Sequence, residues 1–215
     1  MNTISSKSYK LIDTLTWKRC EHFNKWKNFD EPFHGVMVQL NLTKCQLFCD
    51  QNNYKIFERY MYHFVNALNE IEPMRYRLVN DQPVVYDEVF SGLVVMRPDE
   101  TFAYGQLIKT NDFATFREQL KLEKKRIISR GTIHDIEKSQ NITHFSVLPW
   151  IDFIGLSHAR NFGDKDSIPK ITFGKITESN NEYSMPMSIH VHHALVDGKD
   201  VADFINLFQN YLDEN

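Results

Sequence analysis

The sequence predicts an α/β chain built on one mixed β-sheet. Three observations carry this. Short alternating apolar segments recur between longer segments whose apolar residues fall at helical spacing, the pattern of strands interleaved with helices. No Pro/Gly/Ser-rich or low-complexity stretch divides the 215 residues and no repeat is visible, so residues 1–215 read as a single domain. Sixteen Phe and nine Tyr are ample for a core and for the walls of a pocket holding a flat organic molecule.

The elements follow in order. Thr16 is placed to cap a short helix, Trp17 to Lys25. His34 to Leu42 alternates polar and apolar, as a strand does. Asn53 to Ile71 carries apolar residues at 57, 60, 61, 64, 65, 68 and 71, one face of an amphipathic helix. Arg75 to Tyr86 reads as a hairpin turning at Asn80-Asp81, and Val89 to Met96 and Thr101 to Ile108 as strands around the Arg97-Pro98-Asp99 turn. Asn111 is the expected cap of a charged helix from Asp112 to Ser129. His144 to Leu148, Ile171 to Thr177 and Met185 to His193 are further strands, and Lys199 to Leu212 is a closing helix.

Net charge is −3 with both signs interspersed, which argues against nucleic-acid binding. No run of about 18 apolar residues predicts a membrane span, and Met1 to Lys10 has no signal-peptide core. Three cysteines, Cys20, Cys45 and Cys49, without a framework spacing suggest reduced thiols in a cytoplasmic protein.

The most informative stretch is Met187 to Gly198, Met-Ser-Ile-His-Val-His-His-Ala-Leu-Val-Asp-Gly. A strand delivers an imidazole to a turn, and Asp197 and Gly198 follow. Histidine is the natural general base near neutral pH. Within a strand His192 and His193 point to opposite faces, and His190 shares the face of His192. His190, His192 and Asp197 are metal-ligand types, but no partner cluster or H-E-x-x-H helix accompanies them, so no metal is expected. No G-x-S-x-G nucleophile motif occurs either, which favours direct transfer over an acyl-enzyme.

The H-H-x-x-x-D-G pattern resembles the signature of the chloramphenicol acetyltransferase family, whose fold is shared by the catalytic domains of dihydrolipoyl acyltransferases. Three further segments match in the same order. Trp17 to Phe23 resembles W-x-R-x-E-H-F, Phe145 to Trp150 resembles S-x-L-P-W, and Pro169 to Lys175 resembles P-I-I-T-x-x-K. The resemblance implies a two-layer sandwich, a mixed sheet packed by helices, and an acetyl-CoA-dependent O-acetyltransferase acting on chloramphenicol. It implies a homotrimer, with His193 of one subunit facing a pocket of its neighbour. His193 is then the base, held in its tautomer by its own backbone carbonyl. Ser146 donates to the oxyanion, Thr172 supports the site, and Asp197 pairs with Arg19. Gly198 would allow a backbone conformation that other residues resist.

The implied acceptor walls include Trp26, Phe29, Phe33, Phe102 and His158. Lys170, Lys175 and Lys199 flank the site strands and are candidates for coenzyme A contacts. Several positions depart from the family pattern. Trp26 stands where tyrosine is usual, His158, Arg160 and Tyr104 alter the walls, and Ile176 replaces an aromatic residue. These departures predict a weaker fit to chloramphenicol, expressed in KM. Another small hydroxylated acceptor, or a non-catalytic trimeric scaffold, are the alternatives.

Overall fold

The computed structural model describes residues 8–129, 140–161 and 166–214, so most of the polar N-terminal segment, Met1 to Lys7, lies outside the described residues. The elements run β1 (Tyr9–Leu11), α1 (Cys20–Trp26), β2 (Phe33–Asn41), α2 (Thr43–Asn52) and α3 (Ile56–Glu70). Then come β3 (Tyr76–Val79), β4 (Gln82–Tyr86), β5 (Phe90–Met96), β6 (Phe102–Leu107) and α4 (Phe113–Ser129). The chain continues with β7 (Ile142–Val147), β8 (Lys170–Phe173), β9 (Thr177–Ser179), β10 (Glu182–His192) and α5 (Gly198–Asp213).

The main sheet has the order β2-β10-β8-β7-β5-β6, with β9 pairing β10. It is mixed: β7 runs parallel to β5 and β8, and the other pairings are antiparallel. A separate three-stranded sheet has the order β1-β4-β3. The expected mixed α/β architecture is therefore the observed one. Strand β10 sits between β2 and β8, so the last strand of the chain joins two parts of the sheet made much earlier.

One face of the main sheet is apolar. Phe145, Ile171, Phe173, Met187, Ile189 and Val191 are buried there. Phe64 of α3 packs on them, 5.4 Å from both Phe145 and Phe173, and meets Phe208 of α5 at 5.9 Å. Period-two alternation sends the intervening side chains to the opposite face. In register, His144, Lys170, His190 and Gly35 form one row there, and Ser146, Thr172, Ser188 and Met37 the next. A Cβ at Gly35 in the first row would lie 2.4 Å from His190 Nε2, so a larger residue there would displace the imidazole.

Several boundaries differ from the sequence expectation. The hairpin at Asn80-Asp81 is present, with both residues at positive φ as a two-residue type I′ turn requires. Helix α2 was not expected. It buries only Cys45 and Cys49, so its apolar stripe is too thin to read. It ends at Asn53, whose left-handed backbone separates it from α3, so the long helix starts at Ile56 and not at Asn53. Thr16 does not cap α1, because its hydroxyl bonds to Asp13 instead. Asp112, not Asn111, caps α4 by accepting from the Thr115 amide at 2.8 Å. The expected strand Ile171 to Thr177 breaks at Gly174, and its end joins β9 in a hairpin with β10.

Arg77 ties the small sheet to the large one. It is fully buried and donates to the carbonyls of Met74, Tyr76, Gln140 and Ile142 at 2.7–2.9 Å, and to Thr143 Oγ1 at 3.3 Å. All three cysteines are free thiols.

Two buried histidines give the fold an acid sensitivity. Burial pushes His63 down to about 3 and His192 down to about 4. Below about pH 6.5 the unfolded chain takes up protons that these native imidazoles refuse, so stability is full above that pH and falls as pH drops toward 4. Each contributes a slope of at most about 1.4 kcal/mol per pH unit. His63→Leu should flatten the decline of the melting temperature between pH 6.5 and 4. A parallel decline in wild type and variant would show that His63 does not carry it.

Candidate active site

His193 lies just beyond β10 in a turn that the core holds. Ala194, Leu195 and Val196 are buried, and the Leu195 and Val196 amides both donate to the His192 carbonyl. The His193 amide donates to the Pro32 carbonyl at 2.8 Å. The turn therefore cannot move without disturbing the entry to β2. His193 stacks on Trp26 at 4.5 Å between ring centroids, and His34 sits against it at 4.4 Å. His34 Nε2 lies 3.3 Å from the Val196 carbonyl, which fixes that nitrogen as the protonated one. Burial lowers the His34 pKa, which keeps this neighbour of His193 neutral near pH 7.

Asp197 caps α5 in a capping box. Its side chain accepts from the Lys199 and Asp200 amides, and Asp200 accepts from the Asp197 amide at 3.0 Å. Arg19 pairs with Asp197, lies 3.3 Å from Asp200, and donates to the His193 carbonyl at 3.4 Å. Burial raises Asp197, but Arg19 and the helix amides outweigh it and hold the carboxyl below the usual range. Arg19 thus joins the start of α1 to the turn after β10.

Two implied details differ. His193 Nδ1 is buried and meets no hydrogen-bond partner among the described residues, so the contact to its own carbonyl is not made, and Arg19 engages that carbonyl instead. Gly198 has no positive φ and a Cβ there would meet open space, because it is simply the first residue of α5.

Arg19→Ala and Asp197→Asn should each cost about 1–3 kcal/mol of stability. This is less than a fully buried pair would lose, because about a third of the Asp197 side chain is exposed. Double-mutant-cycle thermal melts should show a combined loss smaller than the sum. Additive losses would mean that the two side chains do not cooperate.

Ser146 lies elsewhere, on the wall of a cavity of about 1530 Å³. Phe102, Tyr104, His144, Trp150, His158, Lys170 and Lys175 share that wall, whereas His193, Trp26 and His34 are not among its lining residues. Thr172 is buried behind the wall, opposite Ser146 in β7 and Ser188 in β10. Of the expected acceptor walls, Phe102 and His158 face the cavity. Phe29 packs on Trp26 at 4.6 Å. Phe33 lies against His192 and under the cations of Arg160 and Lys170, so it is a platform for charge and not a cavity wall.

The three lysines separate as well. Lys175 is exposed on the cavity wall. Lys170 is buried, pairs with Asp166 and donates to the Ile168 carbonyl at 3.2 Å, so its amine is not available to a phosphate. Lys199 reaches Asp203 at 2.5 Å on the exposed side of α5 and does not line the cavity. His190 was expected to point away from the chemistry, yet its ring meets His158 edge to face at 4.9 Å, behind the cavity wall. Sequence reasoning missed His34, for which no signal existed. It also missed His144, which the two-residue period of β7 places on the face of Ser146.

A family profile described as chloramphenicol acetyltransferase matches residues 7–209. The chain belongs to the chloramphenicol acetyltransferase family. It is accordingly an acyltransferase. The chloramphenicol acetyltransferase of Proteus mirabilis is 26% identical over 220 residues, covering 95% of this chain and 94% of its own. Chloramphenicol acetyltransferase 3 of Escherichia coli is 26% identical, with 94% and 96% covered. A solved structure of a chloramphenicol acetyltransferase superposes with a TM-score of 0.87 at 22% identity, covering 95% of this chain and all of its own. The truncated catalytic core of the 2-oxoacid dehydrogenase multienzyme complex from Thermoplasma acidophilum shares the fold, with a TM-score of 0.67 at 13% identity over 95% of this chain and 98% of its own. No helix among the described residues of this family member is long and apolar enough to cross a membrane.

Proposed function

We propose that this protein transfers the acetyl group of acetyl-CoA to a hydroxyl of chloramphenicol, by direct attack, in a cytoplasmic homotrimer that confers resistance. The observation that carries the reading is the presence, in a member of this family, of both a fixed imidazole at His193 and a hydroxyl-bearing cavity at Ser146. Since His193 Nδ1 is buried, Nε2 is the nitrogen that meets substrate. It takes the acceptor's hydroxyl proton as the oxygen attacks the thioester carbonyl. Ser146 donates a hydrogen bond to the resulting oxyanion. Collapse breaks the C–S bond, the imidazolium returns the proton to the departing sulfur, and the products are the acetyl ester and free coenzyme A. The exposed amine of Lys175 is placed to meet the negative charge of the coenzyme.

Two observations support a site shared between copies. Within one chain the cavity is lined by Ser146 but not by His193. The polar rows of the sheet also lie on the face away from α3 and α5, next to the exposed Trp150, Ile151 and Ile154. A three-fold ring would set the His193 of each copy against its neighbour's cavity.

The test is a thiol-release assay with purified protein, acetyl-CoA and chloramphenicol. Ser146→Ala should lower kcat by about 10²–10³. Co-refolding equal amounts of the impaired His193→Ala and Ser146→Ala should restore about a quarter of wild-type activity, as random assembly of shared sites demands. No release from the wild type with any hydroxyl acceptor would favour a scaffold. No restoration in the mixture would place both groups in one subunit.

A further inference from the structure

The base is held by rings and not by a hydrogen bond. His193 Nδ1 is buried without a partner among the described residues, so no polar contact at that atom sets the direction of the imidazole. Trp26 stacks on the ring at 4.5 Å with the planes 24° apart, and Phe29 backs Trp26 at 4.6 Å. The second ring on His193 is His34, 4.4 Å away and tilted by 45°.

His34 is an unexpected residue for its place. By the two-residue period of β2 it leads the row of Val36, Val38 and Leu40, which pack into the apolar core. A half-buried imidazole there needs a polar partner, and Nε2 has one in the Val196 carbonyl at 3.3 Å. Val196 lies three residues beyond His193 in the same turn, and the His34 backbone pairs with Val191, two residues before it. The His34 ring is therefore tied to the chain on both sides of the residue it touches. His193, Asp197 and Arg19 face it, and His190 lies near. Burial, then His193 and Arg19, lower its pKa against the pull of the Val196 carbonyl and Asp197. At neutral pH it thus adds no positive charge beside the imidazole that must take a proton.

We infer that His34 is a positioning residue for the base: its ring, tethered to the Val196 carbonyl, braces the His193 imidazole from the β2 side in place of the hydrogen bond that Nδ1 lacks. This rests on the acetyl-transfer reading above and adds a residue to it. The brace acts on proton transfer and not on substrate binding, because His34 does not line the cavity that carries Ser146. Its loss therefore appears in kcat and leaves KM in place.

The test is steady-state kinetics of the wild type, His34→Ala, His34→Gln and His34→Phe with acetyl-CoA and chloramphenicol, or whichever hydroxyl acceptor the wild type uses. His34→Ala should lower kcat about 10–100-fold, the cost of a base displaced by a fraction of its length, with both KM values within about threefold of wild type. His34→Phe keeps the ring and should restore kcat to within about threefold. His34→Gln can still donate to the Val196 carbonyl but has no ring, so it should resemble His34→Ala. A purely structural role would lower the melting temperature and leave kcat of the folded protein unchanged. The inference is overturned if folded His34→Ala keeps wild-type kcat, if its loss lies in KM alone, or if His34→Gln is active and His34→Phe is not. Where His34→Ala does not fold, the comparison of His34→Gln with His34→Phe decides in the same terms.

If the wild type releases no thiol with any acceptor, the acetyl-transfer reading fails, and the brace is tested by itself with diethyl pyrocarbonate. Mass mapping of the peptide that carries His193 should show faster carbethoxylation in His34→Gln than in the wild type and His34→Phe, because the imidazole loses the ring that covers it. Equal rates in the three proteins overturn the inference.

Discussion

Replacing His193 by alanine should lower kcat by about 10²–10⁴ while the melting temperature stays within a few degrees of wild type. The turn that carries the residue is held by its neighbours: the buried side chains of residues 194–196, the amide bond to Pro32 and the guanidinium of Arg19. None of these needs the imidazole. His192→Ala should do the opposite. Its ring is buried against Phe33, and its Nδ1 accepts from the Ala194 amide at 3.2 Å, so truncation opens a hole in the packing and strips the turn of a contact. The measurement is steady-state kinetics and thermal unfolding of both variants. A large kcat loss in His192→Ala, with His193→Ala active, would reverse the assignment of the base.

The second large effect is expected at Arg77, far from the chemistry. Arg77→Met keeps the bulk of the side chain but leaves at least four buried carbonyls without the donors they now have. At about 1–3 kcal/mol for a lost buried partner, the loss should be about 3–5 kcal/mol even after local rearrangement, a large share of a domain's stability. Burial pulls Arg77 to about 9, so it remains charged at neutral pH and its donors stay in place. Urea unfolding should show a clear fall in the midpoint. A loss below about 1 kcal/mol would mean that water replaces the guanidinium at little cost.

The sequence carried the architecture because the main elements each bury one regular face. The apolar positions of α3 and α5 repeat at helical spacing, and the central strands alternate, so period alone reveals them. Helix α2 escaped because two cysteines are all it buries. The ends of α1 and α4 were misplaced because neighbouring side chains compete to cap them, and only coordinates decide whether Thr16 bonds to a helix or to Asp13. The candidate site was legible as a set of motifs, and Arg19 and Asp197 do pair across the chain. Which residues share a cavity was not legible. Phe29 sits on the His193 side and Phe33 against His192, while Phe102 and His158 sit with Ser146, a partition set by sheet order and not by spacing along the chain. Lys170 reads as a solvated lysine in a sequence, and its burial against Asp166 follows from its register between His144 and His190.

The position of β10 has a consequence for how the protein is made. A ribosome that has released residues 1–181 has delivered β2 at one side and β8-β7-β5-β6 at the other, but not the strand between them. Both facing edges then have open amides and carbonyls, and the apolar face behind them lacks α5. The nascent chain cannot close its sheet until residues 182–192 are outside the exit tunnel, and non-local pairing of this kind is slow. Truncation before Glu182 should therefore give aggregation and chaperone dependence, not a smaller folded protein.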